Sequence, residues 1–502
     1  MPGVVVTTAV RTGPTVANVA PSATFFVAGI TERGPVDRAV LVTSLTEFED
    51  YYGGFVSYGF VHQQVQTFFE EGGARCYIGR TVGASPGATS GNTSTGSLAL
   101  AEPAGTAVTL TASGPGDWSA NLKVTVTQLG AANSRAVKFF LNNEQVYSTG
   151  ECANAAVIVN KINSSPIAAR YATATLASGK DATFLTVVST RTALTAGADN
   201  RTNITLANYS DALALFTDDL GSGAVALPGV AGSSGTATTS AVHTALIAHA
   251  NTNSRIALCS FPSTFVYTDA IAQMSNYGLA DDNSEHSAFF WPWVNANRAV
   301  NTPMTISPEG YVAAKRSVTF NAIGPWSPYA GLTSEASFIT GLAATTGKTI
   351  GDALDAARVN ALRIINGRVR IYGARSASSD EDNFRYITAQ EMINYIVVEA
   401  QNRLEDLVFS TIDGRGSLFG QVDARLRALL DPIRTAGGLY EAFDSLGNRI
   451  DYGYTVVVNE AINPVSQLAG GLIKAKVGVR VSSIGDQIQV EVTKSNLTAS
   501  VV

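Results

Sequence analysis

TFFVAGITERGP, residues 24–35, sets the frame of this chain: an uncharged, β-prone run from Thr24 to Ile30 that breaks at Glu32-Arg33-Gly34-Pro35. Such a run reads as a strand bounded by a turn. A second strand is expected at Val40 to Thr43, and Ser44 behind it has the side chain to cap a short helix over LTEFEDYY. Val61, Val65, Phe68 and Phe69 then fall at i, i+4, i+7 and i+8, one face of a helix that stops at Gly72-Gly73. The strand ARCYIGRTV follows at 74–82. Strands alternating with helices predict a small α/β or α+β unit over residues 23–82.

Working outward, residues 1–22 combine the β-branched run Val4, Val5, Val6, Thr7 and Thr8 with Gly3, Gly13, Pro14 and Pro21. They read as an extended arm without a core of its own, whose backbone groups need a sheet edge elsewhere. On the other side, 83–96 (GASPGATSGNTSTG) is a low-complexity linker. From Ser97 to about 203, strand candidates such as AVTLTAS, LKVTVTQLG, AVKFFLNN and ATFLTVVS alternate with turn residues, with AAVIVNKIN the one expected helix. This is the pattern of an inserted β-sandwich or barrel.

Residues 204–366 alternate helices with apolar strands, among them RIALCSF and SAFFWPWV, and predict an α/β layer domain with a mainly parallel sheet. Residues 367–486 begin with RVRIYGARS, continue through helices at about Thr388–Phe409 and Ser417–Ala436, and reach a strand at Leu472–Val481. That strand alternates Ile473, Ala475, Val477, Val479 and Val481 against Lys474, Lys476 and Arg480, so a basic stripe should lie opposite an apolar face. A last strand and arm is expected at 487–502, with Ile488, Val490 and Val492 on one face. The expected whole is a multidomain α/β and α+β protein, with a terminal α+β core built from both chain ends.

Length and composition agree with that plan. At 502 residues the chain exceeds what one core organises. Charged residues make up only 15%, so much of the surface is neutral, which fits equally a surface buried against other copies and one of solvated Ser/Thr loops. The net charge of −6 argues against nucleic acid as a direct partner. No apolar run reaches membrane-spanning length, and the opening residues lack the features of a signal peptide, so assembly in a cytoplasm is expected. Cys76, Cys152 and Cys259 are odd in number and widely spaced, which fits buried thiols.

Catalytic chemistry finds no footing. Gly83-Ala84-Ser85-Pro86-Gly87 has the spacing of a nucleophile elbow, but a Pro-containing linker replaces the helix that the motif needs. GLAATTGKT places five residues between Gly341 and Gly347 where a phosphate loop requires four, without a convincing strand before it, and reads instead as a helix end and turn. Of the histidines His62, His243, His249 and His286, the one close pair is six apart on a helix, pointing in different directions. Each is expected to be solvated or locally bonded. No cofactor and no metal are expected.

The arm beginning PGVVV, TFFVAGITERGP, VLVTSLTEFEDYYGG and QTFFEEGGARCYIGR together resemble the opening of contractile tail sheath proteins of bacteriophages and related injection machines. LTASGPGDWSANLKVTV resembles the start of that family's inserted β-domain. WPWV (291–294), GPWSPYAG (324–331) and VNALRIINGRVRIYGARSASSD (359–380) fall in the order of its later motifs. The resemblance implies a subtilisin-like topology for the α/β domain, without a catalytic triad. It also implies hexameric rings of this chain stacked on an inner tail tube protein, with arms adding strands to sheets of neighbouring subunits. Baseplate and tail-terminator proteins would be the further partners. Contraction would then drive the tube through a target envelope to deliver a genome or effector, from a virion tail assembled in a host bacterial cytoplasm. Lys474, Lys476 and Arg480 become candidate contacts to the tube or a neighbour. A β-rich adhesin and, more remotely, a serine hydrolase are the competing readings.

Overall fold

The computed structural model describes residues 21–83, 94–130, 133–230, 239–277, 283–297 and 303–486. They divide into two units. One runs to Ser379, and the other comprises Pro325–Pro328 with the residues from Asp380 onward.

In the first unit, β1 (Thr24–Gly29) is buried at every position. A strand apolar on both faces belongs to the interior of a sheet covered on both faces, where both of its edges are paired as well. After β2 (Val40–Val42), α1 (Leu45–Tyr52) and α2 (Val61–Glu70), β3 (Cys76–Arg80) pairs with β1 in parallel, Gly29 opposite Arg80. Ser44 caps α1 as expected, its side chain accepting from the Glu47 N–H.

The other neighbour of β1 comes from far along the sequence. Helix α4 (Leu206–Ala214), β11 (Gly223–Ala226), α5 (Thr239–Thr252), β12 (Ile256–Ser260), α6 (Tyr267–Asn276) and β13 (Ser287–Trp291) form a parallel αβ run, and β11 lies beside β1. With β17 (Val359–Ile365) and β18 (Arg368–Tyr372) the sheet has eight strands in the order β18-β17-β13-β12-β11-β1-β3-β2. The expected core built from both chain ends is therefore corrected. Residues 24–80 complete the α/β sheet, because β1 needs a strand on each side, and residues 380–486 belong to the other unit. Asn366 and Gly367, both at positive φ, form the tight turn joining β17 to antiparallel β18, and the break between units falls at 379/380.

Between β13 and β17 come β14 (Val294–Asn297), β15 (Pro303–Ile306), α7 (Glu309–Ala322), β16 (Ile339–Leu342) and α8 (Lys348–Ala356). Strands β14, β15 and β16 form a small antiparallel sheet. GLAATTGKT thus runs from a strand through a turn into a helix, where a helix end was expected. Its strand belongs to that antiparallel sheet, and Lys348 Nζ pairs with Asp352 at 2.7 Å.

The inserted segment builds two sheets. One contains β4 (Ser97–Glu102), β5 (Gly105–Ala112) and β9 (Ala172–Leu176); the other contains β6 (Leu122–Gln128), β7 (Arg135–Leu141), β8 (Glu144–Ser148) and β10 (Val188–Ala193). Leu110, Val124 and Phe139 from the sheets and Ile158 and Ile162 from α3 (Ala155–Asn163) share one core. Most of ATFLTVVS is irregular; only its end enters β10.

The second unit packs α9 (Ile387–Leu404) and α10 (Ser417–Thr435) around Met392, Leu426 and Leu430. Its described residues also form two short antiparallel ribbons: β19 (Ala442–Phe443) with β20 (Arg449–Asp451), and β21 (Tyr454–Val457) with β22 (Lys476–Val479). A short helix, α11 (Val465–Leu468), lies between the strands of the second ribbon. The strand expected over Leu472–Val481 is shorter than its alternation suggested. Asn463 takes the backbone N–H and C=O of Lys474, which holds the chain out of the ladder until Lys476.

Candidate assembly surfaces

A sheet edge can accept another strand only where its backbone groups are open, so the two units differ in kind. In the first unit the outer edge of β18 is closed from within. The Ala336 N–H donates to Val369 O at 2.9 Å, and the Ser334 hydroxyl both accepts from the Ile371 N–H at 3.0 Å and donates to Ile371 O at 3.2 Å. At the other end β2 has only three residues.

In the second unit β22 is paired, among the described residues, along one side only. Arg480 N–H donates to Gly453 O at 2.7 Å while Arg480 O accepts from Tyr440 N–H at 2.8 Å, and Ser482 N–H reaches Gly438 O at 3.1 Å. A residue in an antiparallel ladder exchanges both bonds with the same side. Residues 438–440 therefore continue the line of β21, and among the described residues no strand covers the opposite edge of β22. A two-stranded ribbon is marginal by itself. Large apolar side chains are also exposed here, including Phe443, Leu446, Ile450, Tyr452 and Leu472.

The sequence-derived candidates are placed as follows. Val4, Val5, Val6, Thr7 and Thr8, together with Ile488, Val490 and Val492, lie outside the described residues. Lys474, Lys476 and Arg480 are all exposed in the second unit. Arg480 is bound to Asp451 at 2.8 Å, which leaves Lys474 and Lys476 as the basic part of the stripe. Of the expected apolar face, Ile473, Val479 and Val481 pack on the helical core, whereas Val477 is exposed.

The groups that could do chemistry are built into the interior. His243 Nδ1 lies 2.8 Å from the Tyr277 hydroxyl, and burial pulls its pKa down to about 4. His249 is lowered to about 4 by burial and then by Arg255, whose Nη1 is 3.0 Å from its Nε2. His62 Nε2 bonds Glu49 at 2.8 Å, and His286 Nδ1 bonds Arg255 O at 3.0 Å. The Ser260 hydroxyl donates to Glu309 at 2.5 Å with both residues buried, and burial raises the Glu309 pKa. Among the described residues no cluster of His, Cys, Asp and Glu could hold a metal ion, and no helix is long and apolar enough to cross a membrane. All three cysteines are buried.

Residue-level reading missed Arg33 and Arg80, buried where the inserted domain meets the α/β sheet. The one signal available was an arginine just beyond or at the end of each of two β-prone runs, TFFVAGI and CYIGR.

No protein-family model and no curated protein matches the sequence. Solved structures do match. The sheath of an extracellular contractile injection system in its contracted state superimposes with a TM-score of 0.54 at 14% identity, covering 99% of this chain and 98% of that one. The chain has the contractile-sheath fold. The helical sheath of the anti-feeding prophage, also contracted, gives 0.53 at 15% identity over 98% of this chain and 99% of that one. The sheath tail protein of Listeria innocua gives 0.59 at 13% identity over 89% and 90%. The sheath fold thus extends through the inserted domain and both units.

Proposed function

We propose that this chain is the structural subunit of a contractile tail sheath, with no enzymatic role. It polymerises as stacked hexameric rings around an inner tube, in contact with baseplate and tail-terminator proteins. Contraction of the lattice drives the tube through the target envelope to deliver a genome or effector. The observation that carries this reading is the match of the sheath fold to 98–99% of both chains.

The edge of β22 that no strand covers among the described residues supports a strand-addition lattice. Residues 1–22 and 487–502 supply β-prone segments at the two chain ends, and one such segment from a neighbour would complete the β21–β22 ribbon. The closed edge of β18 directs additions away from the large sheet. Head-to-tail contacts of this kind propagate into rings and helices.

Electron microscopy of the purified protein tests this. Hollow striated tubes are expected, and deletion of residues 2–20 should abolish them while leaving a soluble protein with a near-normal melting temperature. Tubes of normal length from the deletion would remove the arms from the lattice; discrete trimers or monomers from the intact chain would point to an adhesin.

A further inference from the structure

Strands β1 and β3 end side by side, and the inserted domain leaves the sheet from β3 at this point and returns to it. The Gly83 N–H donates to Asp199 O at 2.8 Å, and Ser94 bridges to Ala198. In a parallel sheet the carboxyl ends of the strands are where an α/β fold ordinarily receives a ligand. Here they receive the inserted domain.

Two motifs distant in sequence meet across this joint. Arg80, 2% exposed, donates from Nη1 to Gly34 O at 2.9 Å and to Pro115 O at 2.8 Å, joining TERGP to SGPGDW through one guanidinium. Its Nη2 is 3.8 Å from Asp199. Arg33, 4% exposed, donates to Glu49 O at 2.8 Å in its own domain. Its guanidinium lies 4.9 Å from the ring of Tyr171 and 5.9 Å from that of Trp118, both members of the inserted domain's core. The backbones touch: a Cβ on Gly114 would sit 2.1 Å from Gly34 O. At the rim Arg170 pairs with Asp50 at 2.5 Å and lies over Tyr51, and Arg201 pairs with Asp199 at 3.0 Å and lies over Tyr58.

We infer that Arg33 and Arg80 clamp the β-rich domain onto the carboxyl ends of β1 and β3, so that the two move as one rigid body. Rotation of the inserted domain would strip the Pro115 O bond from the desolvated Arg80 guanidinium and part that of Arg33 from the Tyr171 and Trp118 rings. Rigid aromatic faces and glycine contact admit little sliding. The clamp does not depend on the sheath reading. If that reading holds, motion of β1 is transmitted to the inserted domain without slack.

Double electron–electron resonance on the full-length, unassembled protein tests the clamp, with spin labels on Glu144→Cys and Lys348→Cys. Both positions are exposed, and the native thiols are buried away from the label. A single narrow distance distribution is expected. Arg33→Lys with Arg80→Lys keeps the charges but loses the planar fork and stacking, and should at least double the width at unchanged near-UV circular dichroism. Arg33→Met with Arg80→Met should broaden it further. A broad distribution in the otherwise unaltered protein overturns the inference without any clamp variant, as does an unchanged width in a folded double variant.

Discussion

Glu71 and Lys315 form an interior ion pair at 2.7 Å, between the end of α2 and the middle of α7. The same carboxylate accepts three consecutive backbone N–H groups, those of Ser337, Phe338 and Ile339. One buried acid therefore ties the first helices of the chain to α7 and to the loop that leads into β16. Breaking a buried pair on one side costs about 3–5 kcal/mol, because the remaining charge is left uncompensated. Glu71→Gln should lower the unfolding free energy by that order in denaturant titration. A loss within about 0.5 kcal/mol, the range of ordinary surface changes, would mean that water reaches Lys315.

Acid should destabilise the fold through His243. Its folded pKa, about 4, lies below the ordinary histidine value. The neutral buried ring thus contributes stability that is fully present above roughly pH 6.5 and is lost as pH falls through about 4. At about 1.4 kcal/mol per pKa unit, the contribution is roughly 3 kcal/mol. His243→Gln should flatten the decline in unfolding free energy between pH 7 and pH 4. Parallel profiles for variant and parent would assign the acid sensitivity to other groups.

Glu309 should act in the opposite direction. Its buried carboxyl has a raised pKa, so its stability contribution is complete below the ordinary carboxylate pKa and is lost as pH rises through the elevated one. Glu309→Gln should gain stability relative to the parent at pH 8, and the gain should shrink on acidification. An equal difference at pH 5 and pH 8 would indicate that Glu309 is ionised in the folded protein throughout.

Replacing Ser97 to Arg201 with a short Gly/Ser loop should leave a folded protein that still assembles, since the segment leaves and rejoins the sheet at one place. The melting temperature should fall by several degrees, because the contacts of Arg33 and Arg80 with the domain are lost. A soluble, folded and non-polymerising product would put the domain inside the lattice.

Lys474 and Lys476 lie on the exposed side of the β21–β22 ribbon region. Reversing both to Glu should weaken assembly and alter its dependence on salt, if they meet acidic groups on the tube or a neighbour. Unchanged assembly with an unchanged salt response would reduce the stripe to a solvated face, which contributes little.

Local chemistry settled several elements from the sequence alone. Ser44 caps α1, the apolar face of α2 runs from Val61 to Phe68, and the uncharged runs around Phe26, Leu258 and Phe289 are buried strands. These features depend on neighbours within a turn or on the burial that a composition demands, and both are written in consecutive residues. Other elements needed the tertiary fold. Val477 completes a clean alternation yet is exposed, and Asn463 holds Lys474 out of the ladder that the alternation predicts. Helix α7 escaped the apolar-face pattern because Lys315 and Arg316 are buried in it, their partners Glu71 and Ser22 lying more than 200 residues away. The pairing of β1 with β11 and the meeting of Arg80 with Pro115 are likewise long-range. No periodicity in a stretch of chain records which distant segment will satisfy its backbone or its charge, so the sheet order and the buried pairs were decided only by folding.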